Sequence, residues 1–228
     1  MLFRSELAMR AAFKAIQNNK QVAVLVPTTV LCIQHGRTFS ERFADFPVCV
    51  EIINRFVSSK KIKDIVERTR QGRVDVLIGT HRLLSKDVRF RDLGLVIIDE
   101  EQRFGVEHKE KLKNLMINVD ILTMTATPIP RTLHMSMLGL KDISSLTTAP
   151  LDRRSIVTKV TRYSPELIRK IIMFEINRQG QIFFLHNRVQ TIGHMADELR
   201  EILKDTNIKI DIAHGQMQKH ELEKAMIK

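Results

Sequence analysis

The sequence predicts an α/β protein, a parallel sheet sandwiched between helix layers, followed by a second, incomplete unit of the same kind. Short, continuously apolar runs such as Gln21-Val22-Ala23-Val24-Leu25-Val26 and Leu95-Val96-Ile97-Ile98 lack the polar alternation of a half-exposed strand, so they read as strands buried on both faces. Between such runs, apolar residues recur three and four positions apart, the spacing of amphipathic helices. Alternation of the two patterns is that of parallel strands covered by helices on both sides.

Residues 6–18 place Leu7, Ala8, Ala11, Ala12, Ala15 and Ile16 on one helical face, and Asn18-Asn19 closes that helix. A strand over 21–26 follows and is broken by Pro27. The alternation continues with a helix over 29–44, a strand over 48–53, a helix over 58–71 and a strand over 74–78. After a loop come the strand 95–98, a basic helix near 108–114 and the strand 119–124. Periodicity lapses at Thr147-Thr148-Ala149-Pro150-Leu151-Asp152, which marks a linker and divides the chain into residues 1–148 and 149–228. A second series then runs strand 156–160, helix 165–178, strand 181–185, helix 190–204 and strand 208–212. It closes on a helix over 219–228 with no strand after it, so the second unit is expected to stop part-way through a domain.

A length of 228 residues accommodates one domain with its own core and most of another, and 43% hydrophobic against 28% charged residues excludes a disordered chain. The formal net charge of +11 is spread from Arg4 to Lys228, which suits a polyanionic partner or a solvated basic surface equally well. Cys32 and Cys49 have no zinc-type spacing, and none of the eight histidines shows ligand spacing, so neither a disulfide scaffold nor a structural metal is expected. No apolar run reaches the ~18 residues of a membrane span, and a cytoplasmic location is expected.

The sharpest chemical signal is Asp99-Glu100-Glu101-Gln102 directly after a buried apolar strand. One carboxylate at a strand tip can hold a magnesium ion, directly or through water, while its neighbour orients and deprotonates a water aimed at a terminal phosphate. A lone Asp-Glu is more often just an acidic turn. Its company changes that balance: Thr125-Ala126-Thr127-Pro128 ends a second apolar strand, and Pro27-Thr28-Thr29 and Gly79-Thr80-His81-Arg82 end two more with hydroxyl and backbone N–H donors at a helix start. Each alone reads as an N-cap; four in this order do not.

Val26-Pro27-Thr28-Thr29-Val30-Leu31, Gly79-Thr80-His81-Arg82-Leu83-Leu84, Asp99-Glu100-Glu101-Gln102-Arg103-Phe104-Gly105-Val106 and Thr125-Ala126-Thr127-Pro128-Ile129-Pro130-Arg131-Thr132 resemble motifs Ia, Ib, II and III of superfamily 2 helicases. They match the branch that holds the bacterial transcription-repair coupling factors and the RecG-type branched-DNA helicases. The acidic Asp99-Glu100-Glu101-Gln102 and the segment Gly215-Gln216-Met217 are more like the former. The resemblance runs from about Glu6 to the C-terminus. It implies a RecA-like helicase domain over 1–148 and the N-terminal part of a second over 149–228, using ATP and Mg2+ to translocate on double-stranded DNA. Asp99 would serve the magnesium through water, Glu100 would activate the attacking water, and Glu101 with Gln102 would link nucleotide state to DNA contact. Thr125 and Thr127 would couple hydrolysis to domain movement. Pro27, Thr28, Thr29, Gly79, Thr80, His81 and Arg82 would follow the sugar-phosphate backbone, joined by Asn187, Arg188, His214, Gly215 and Gln216 from the second domain.

The family's glycine-rich phosphate loop should stand before the first helix, yet Arg4 and Ser5 align with its Lys-Thr and no glycines precede them. Motifs V and VI are likewise missing. The chain is therefore expected to be a piece of the motor that hydrolyses little or no ATP by itself, while its parent displaces stalled RNA polymerase and meets RNA polymerase and the excision-repair protein UvrA through other regions. Two further readings stay open: a RecG-like branched-DNA helicase, and a non-catalytic DNA-binding module. Phe104 with Arg103 fits either a stacking aromatic that reports DNA to the acidic site or plain core packing.

Overall fold

A computed structural model of the chain describes residues 2–104, 119–126, 142–146, 148, 156–218, 221–222 and 225–226. Among them, five parallel strands form one sheet: β1 (Gln21–Leu25), β2 (Val50–Ile53), β3 (Val76–Gly79), β4 (Leu93–Asp99) and β5 (Asp120–Met124), in the order β2-β3-β1-β4-β5. β1 lies in the middle, and every one of its residues is buried. Its side chains alternate between two cores. Val22 and Val24 join Ala8, Met9 and Ala12 of α1 (Leu2–Gln17) and Cys32 and Phe39 of α2 (Thr29–Arg42) on one face. Ala23 and Leu25 join Ile65 of α3 (Ser59–Arg70), Leu77, Val96, Ile98 and Phe104 on the other. Continuous apolarity thus means two covered faces, and the α/β sandwich follows.

Local chemistry fixes the ends of these elements. α1 ends where Asn19 takes a left-handed backbone with φ 57°, which asparagine tolerates better than most residues. Thr28 caps α2 by accepting a hydrogen bond from the Leu31 N–H at 3.2 Å, and Ser58 caps α3 through the Lys61 N–H at 3.4 Å. α2 can lie against β2 only because residue 36 is glycine: a Cβ there would stand 2.5 Å from Ile52 Cγ2.

Gln21 ties three segments together from inside. Its amide donates to the carbonyls of Thr69 (2.9 Å) and Val74 (2.7 Å), and its Oε1 accepts from the N–H groups of Arg91 (2.7 Å) and Asp92 (3.1 Å). A polar residue opening a buried strand is therefore fully satisfied.

The chain divides into two compact units, Met1–Leu151 and Asp152–Lys228. The second contains α4 (Pro165–Asn177) and α5 (Ile192–Ile202), capped at Ser164 and packed through Ile172, Leu199 and Leu203. The strands expected over 156–160, 181–185 and 208–212 are not formed: no residue of the second unit described here lies in a strand. Apolar sequence supplies strand propensity, but a strand exists only by pairing, and these segments pair with nothing among the described residues. Ile156, Val160 and Leu185 are accordingly at least 90% exposed. The basic helix expected near 108–114 and nearly all of the linker lie outside the described residues.

Candidate nucleotide and cation site

All five strands run the same way, so Pro27-Thr28, Thr80, Asp99-Glu100 and Thr125 come off the same carboxyl edge of the sheet, the edge where open α/β sheets bind ligands. A cleft of about 340 Å³ opens there, lined by Arg4, Ser5, Thr28, Leu31, Asp99, Glu100 and Arg103.

Asp99 is the last residue of β4 and is buried. Its Oδ2 accepts a hydrogen bond from His35 Nε2 at 3.0 Å, while its Oδ1 is buried and has no partner. A carboxylate oxygen without a donor inside a protein is costly, on the order of 1–3 kcal/mol or more for a charged group. Such an atom fits a site completed by a cation or by the water of a cation's shell.

Glu100 follows with a left-handed backbone, φ 54° and ψ 49°, unusual for a residue with a Cβ and worth on the order of 1–3 kcal/mol of strain. The surroundings hold it there. Its N–H donates to the Met124 carbonyl at 2.9 Å, Arg4 Nη2 pairs with its Oε1 at 3.3 Å, and Gln102 Nε2 donates to its Oε2. Thr125 Oγ1 donates to Gln102 Oε1 at 3.1 Å, so a side-chain chain runs from the end of β5 to the second carboxylate. The short helical turn Glu101–Arg103 supplies that geometry.

The site thus gathers Asp99, Glu100, Gln102, Thr125 and Thr28, together with Arg4 and Ser5, which line the same cleft. Glu101 is half-buried on the same turn. Phe104 is buried within the core beside α3, so core packing rather than stacking describes it. The hydroxyl of Thr28 is occupied as a helix cap although the residue also borders the cleft. Thr29 and Thr80 are buried, and Gly79 is pressed between Ile53 and Leu83, with a would-be Cβ 2.8 Å from Ile53 Cγ1. His81 is exposed, whereas Arg82 makes a two-pronged ion pair with Asp87. That pair lowers the carboxyl pKa of Asp87 and raises the guanidinium pKa of Arg82.

In the second unit Asn187, Arg188, Gly215 and Gln216 are exposed, and half-buried His214 keeps an unpartnered Nδ1. Thr127 lies outside the described residues. The residue that sequence reasoning passed over is His35. Its spacing to the other histidines carries no signal, and its partner is 64 positions away.

Among the described residues no three His, Cys, Asp or Glu side chains converge as a metal cage. A cation here would rest on Asp99 plus water and phosphate oxygens, the pattern that suits Mg2+. Likewise, among these residues, no helix is long and apolar enough to cross a membrane.

Comparison with known proteins agrees with this geometry. Residues 4–136 match the family model described as DEAD/DEAH box helicase. The chain is 52% identical over 224 residues to a transcription-repair-coupling factor of Bacillus subtilis, and 50% identical over 224 residues to that of Staphylococcus haemolyticus. Each alignment covers 98% of this chain and 19% of the relative, so the chain spans about a fifth of the length of these proteins. Among solved structures, RecG bound to a three-way DNA junction superposes with a TM-score of 0.72 at 30% identity, over 96% of this chain and 29% of that one.

Proposed function

From the premise that this chain belongs to the DEAD/DEAH box helicase family, we propose that it forms part of an ATP-driven motor that moves along double-stranded DNA in transcription-coupled repair. The parent protein would act in the cytoplasm, displacing stalled RNA polymerase and meeting RNA polymerase and UvrA through regions outside this chain. The observation that carries the reading is the unpartnered buried Oδ1 of Asp99 beside a strained, firmly held Glu100 in a cleft at the carboxyl edge of the sheet. Identity near 50% to coupling factors, against 30% to a branched-DNA helicase, favours the first over the second.

Asp99 would hold Mg2+, which neutralises phosphate charge when bound. Glu100 would orient a water and accept its proton. Gln102 fixes the Glu100 carboxylate in the accepting pose, and Thr125 connects that pose to the end of β5, where a change in the bound nucleotide can be passed on. Arg4 pairs with Glu100 Oε1 at 3.3 Å, which leaves that oxygen a second acceptor site for a water. His81 and Arg82 would face the DNA backbone, while buried Thr29 and Thr80 and the capping hydroxyl of Thr28 shape the strand ends.

The test is a chimera in which residues 6–228 replace the homologous segment of the Bacillus subtilis coupling factor. Duplex-stimulated ATP hydrolysis and displacement of a triplex-forming strand are expected, with Glu100→Gln lowering turnover by roughly 10²–10⁴-fold, the usual contribution of a positioned base. Undiminished hydrolysis in Glu100→Gln would remove the base assignment. A chimera that binds duplex but never hydrolyses ATP would favour the non-catalytic module.

A further inference from the structure

We propose that His35 is a positioning residue for the cation site, fixing the rotation of the Asp99 carboxylate so that Oδ1 stays available. The inference rests on the reading of Asp99 as the cation-holding carboxylate. His35 does not line the cleft, so it can act only through Asp99. Both residues are buried, at 4% and 6% exposure, and their 3.0 Å contact links α2 to the tip of β4 across 64 positions of sequence.

A carboxylate accepts and does not donate, so the ring nitrogen facing Oδ2 carries the proton. With Oδ2 engaged, the carboxylate cannot swing about its last bond without breaking a buried hydrogen bond. Oδ1, with no protein partner, is then the one oxygen left for a ligand. The same logic operates at metal sites where a side chain beyond the ligands sets the orientation of a ligating group, and loss of such a partner commonly lowers metal affinity 10–100-fold.

The imidazole is itself held. His35 sits on the buried stripe of α2 with Thr29, Cys32, Gly36 and Phe39. Its ring meets Phe39 nearly edge-on, with centroids 6.2 Å apart and planes at 61°. One residue further on, Gly36 lets α2 lie close on β2, where a Cβ would meet Ile52 Cγ2 at 2.5 Å.

Mn2+ binding to the chain, followed by the loss of the free-ion EPR signal, separates the possibilities. His35→Phe should weaken Mn2+ binding roughly 10–100-fold, whereas His35→Gln, which keeps a donor of similar reach, should stay within about threefold of wild type by the same reasoning. Asp99→Asn should abolish the site. If Asp99→Asn binds Mn2+ like wild type, the reading of Asp99 fails and the inference goes with it. If Asp99→Asn loses binding but His35→Phe does not, or if His35→Gln is as weak as His35→Phe, only the positioning role is overturned. A second readout does not depend on either histidine variant folding. In ¹⁵N spectra of the wild-type chain, Mg2+ should shift the His35 Nε2 resonance, and Asp99→Asn should remove that shift; a resonance indifferent to Mg2+ contradicts the proposal.

Discussion

Cys32 shows how far burial alone can move a single group. Its thiol is fully buried beneath α2, near the carbonyls of Ile78 and Ile53 with Asn54 Nδ2 at 3.8 Å, and desolvation pushes its pKa up to about 11 despite the opposing Asn54 contact. The folded state therefore favours the protonated thiol. Stability from this source is intact below the unfolded thiol pKa of ~8.5–9 and is lost as pH rises toward 11, a change on the order of 2 kcal/mol. Urea midpoints at pH 8 and pH 10.5 should converge in Cys32→Ala relative to wild type; parallel losses would show that other groups carry the alkaline transition. Legibility at this scale followed distance along the chain. Asp99 and Glu100 were readable because the strand before them is contiguous in sequence. His35 was not, since nothing in its neighbours announces a carboxylate that arrives from another strand. Phe104 fits two roles in sequence because sequence shows that a residue is aromatic, not which side of a sheet it meets.

At the scale of elements, the first unit was legible because its strands are predominantly apolar and its helices carry apolar stripes, α2 and α3 with capping Thr28 and Ser58 as well. Boundaries moved by a few residues, as at Leu93–Asp99, where the strand extends from the expected 95–98 to take in Asp99. The second unit resisted, because its three apolar segments state a propensity and pairing is a property of neighbours. Two contacts between elements make predictions. Replacing Gln21 by Leu leaves two carbonyls and two N–H groups without their buried partner, and at about 1 kcal/mol or more apiece the loss should be roughly 3 kcal/mol or greater. A urea midpoint close to wild type would mean that water reaches these groups. Gly36→Ala sets helix propensity, a gain of up to about 1 kcal/mol, against a methyl driven into the branched Ile52 side chain, a cost of about 1–3 kcal/mol. The clash should win. Combining it with Ile52→Ala should recover part of the loss, and strict additivity of the two changes would show that the helix simply moves aside.

For the molecule as a whole, the net charge of +11 together with the helicase family match predicts binding to duplex DNA that weakens steeply with salt, by about 0.9 in the logarithmic slope for each phosphate neutralised. Charge alone does not say which cations take part, and the structure makes one case specific. Arg82, expected to follow the DNA backbone, is held by both oxygens of Asp87 in a pair whose carboxylate is more than half exposed. An exposed pair of this kind is worth at most about 1 kcal/mol, so phosphate can compete for the guanidinium. Two opposite effects follow. Arg82→Ala should weaken duplex binding and reduce the salt slope by about 1, whereas Asp87→Asn should strengthen binding at low salt by releasing the arginine and removing a repelling charge. Fluorescence anisotropy with a labelled duplex at several salt concentrations measures both. If Arg82→Ala leaves the slope unchanged and Asp87→Asn leaves the affinity unchanged, the Arg82–Asp87 pair only braces the turn after β3, and the DNA path lies over other basic residues of the chain.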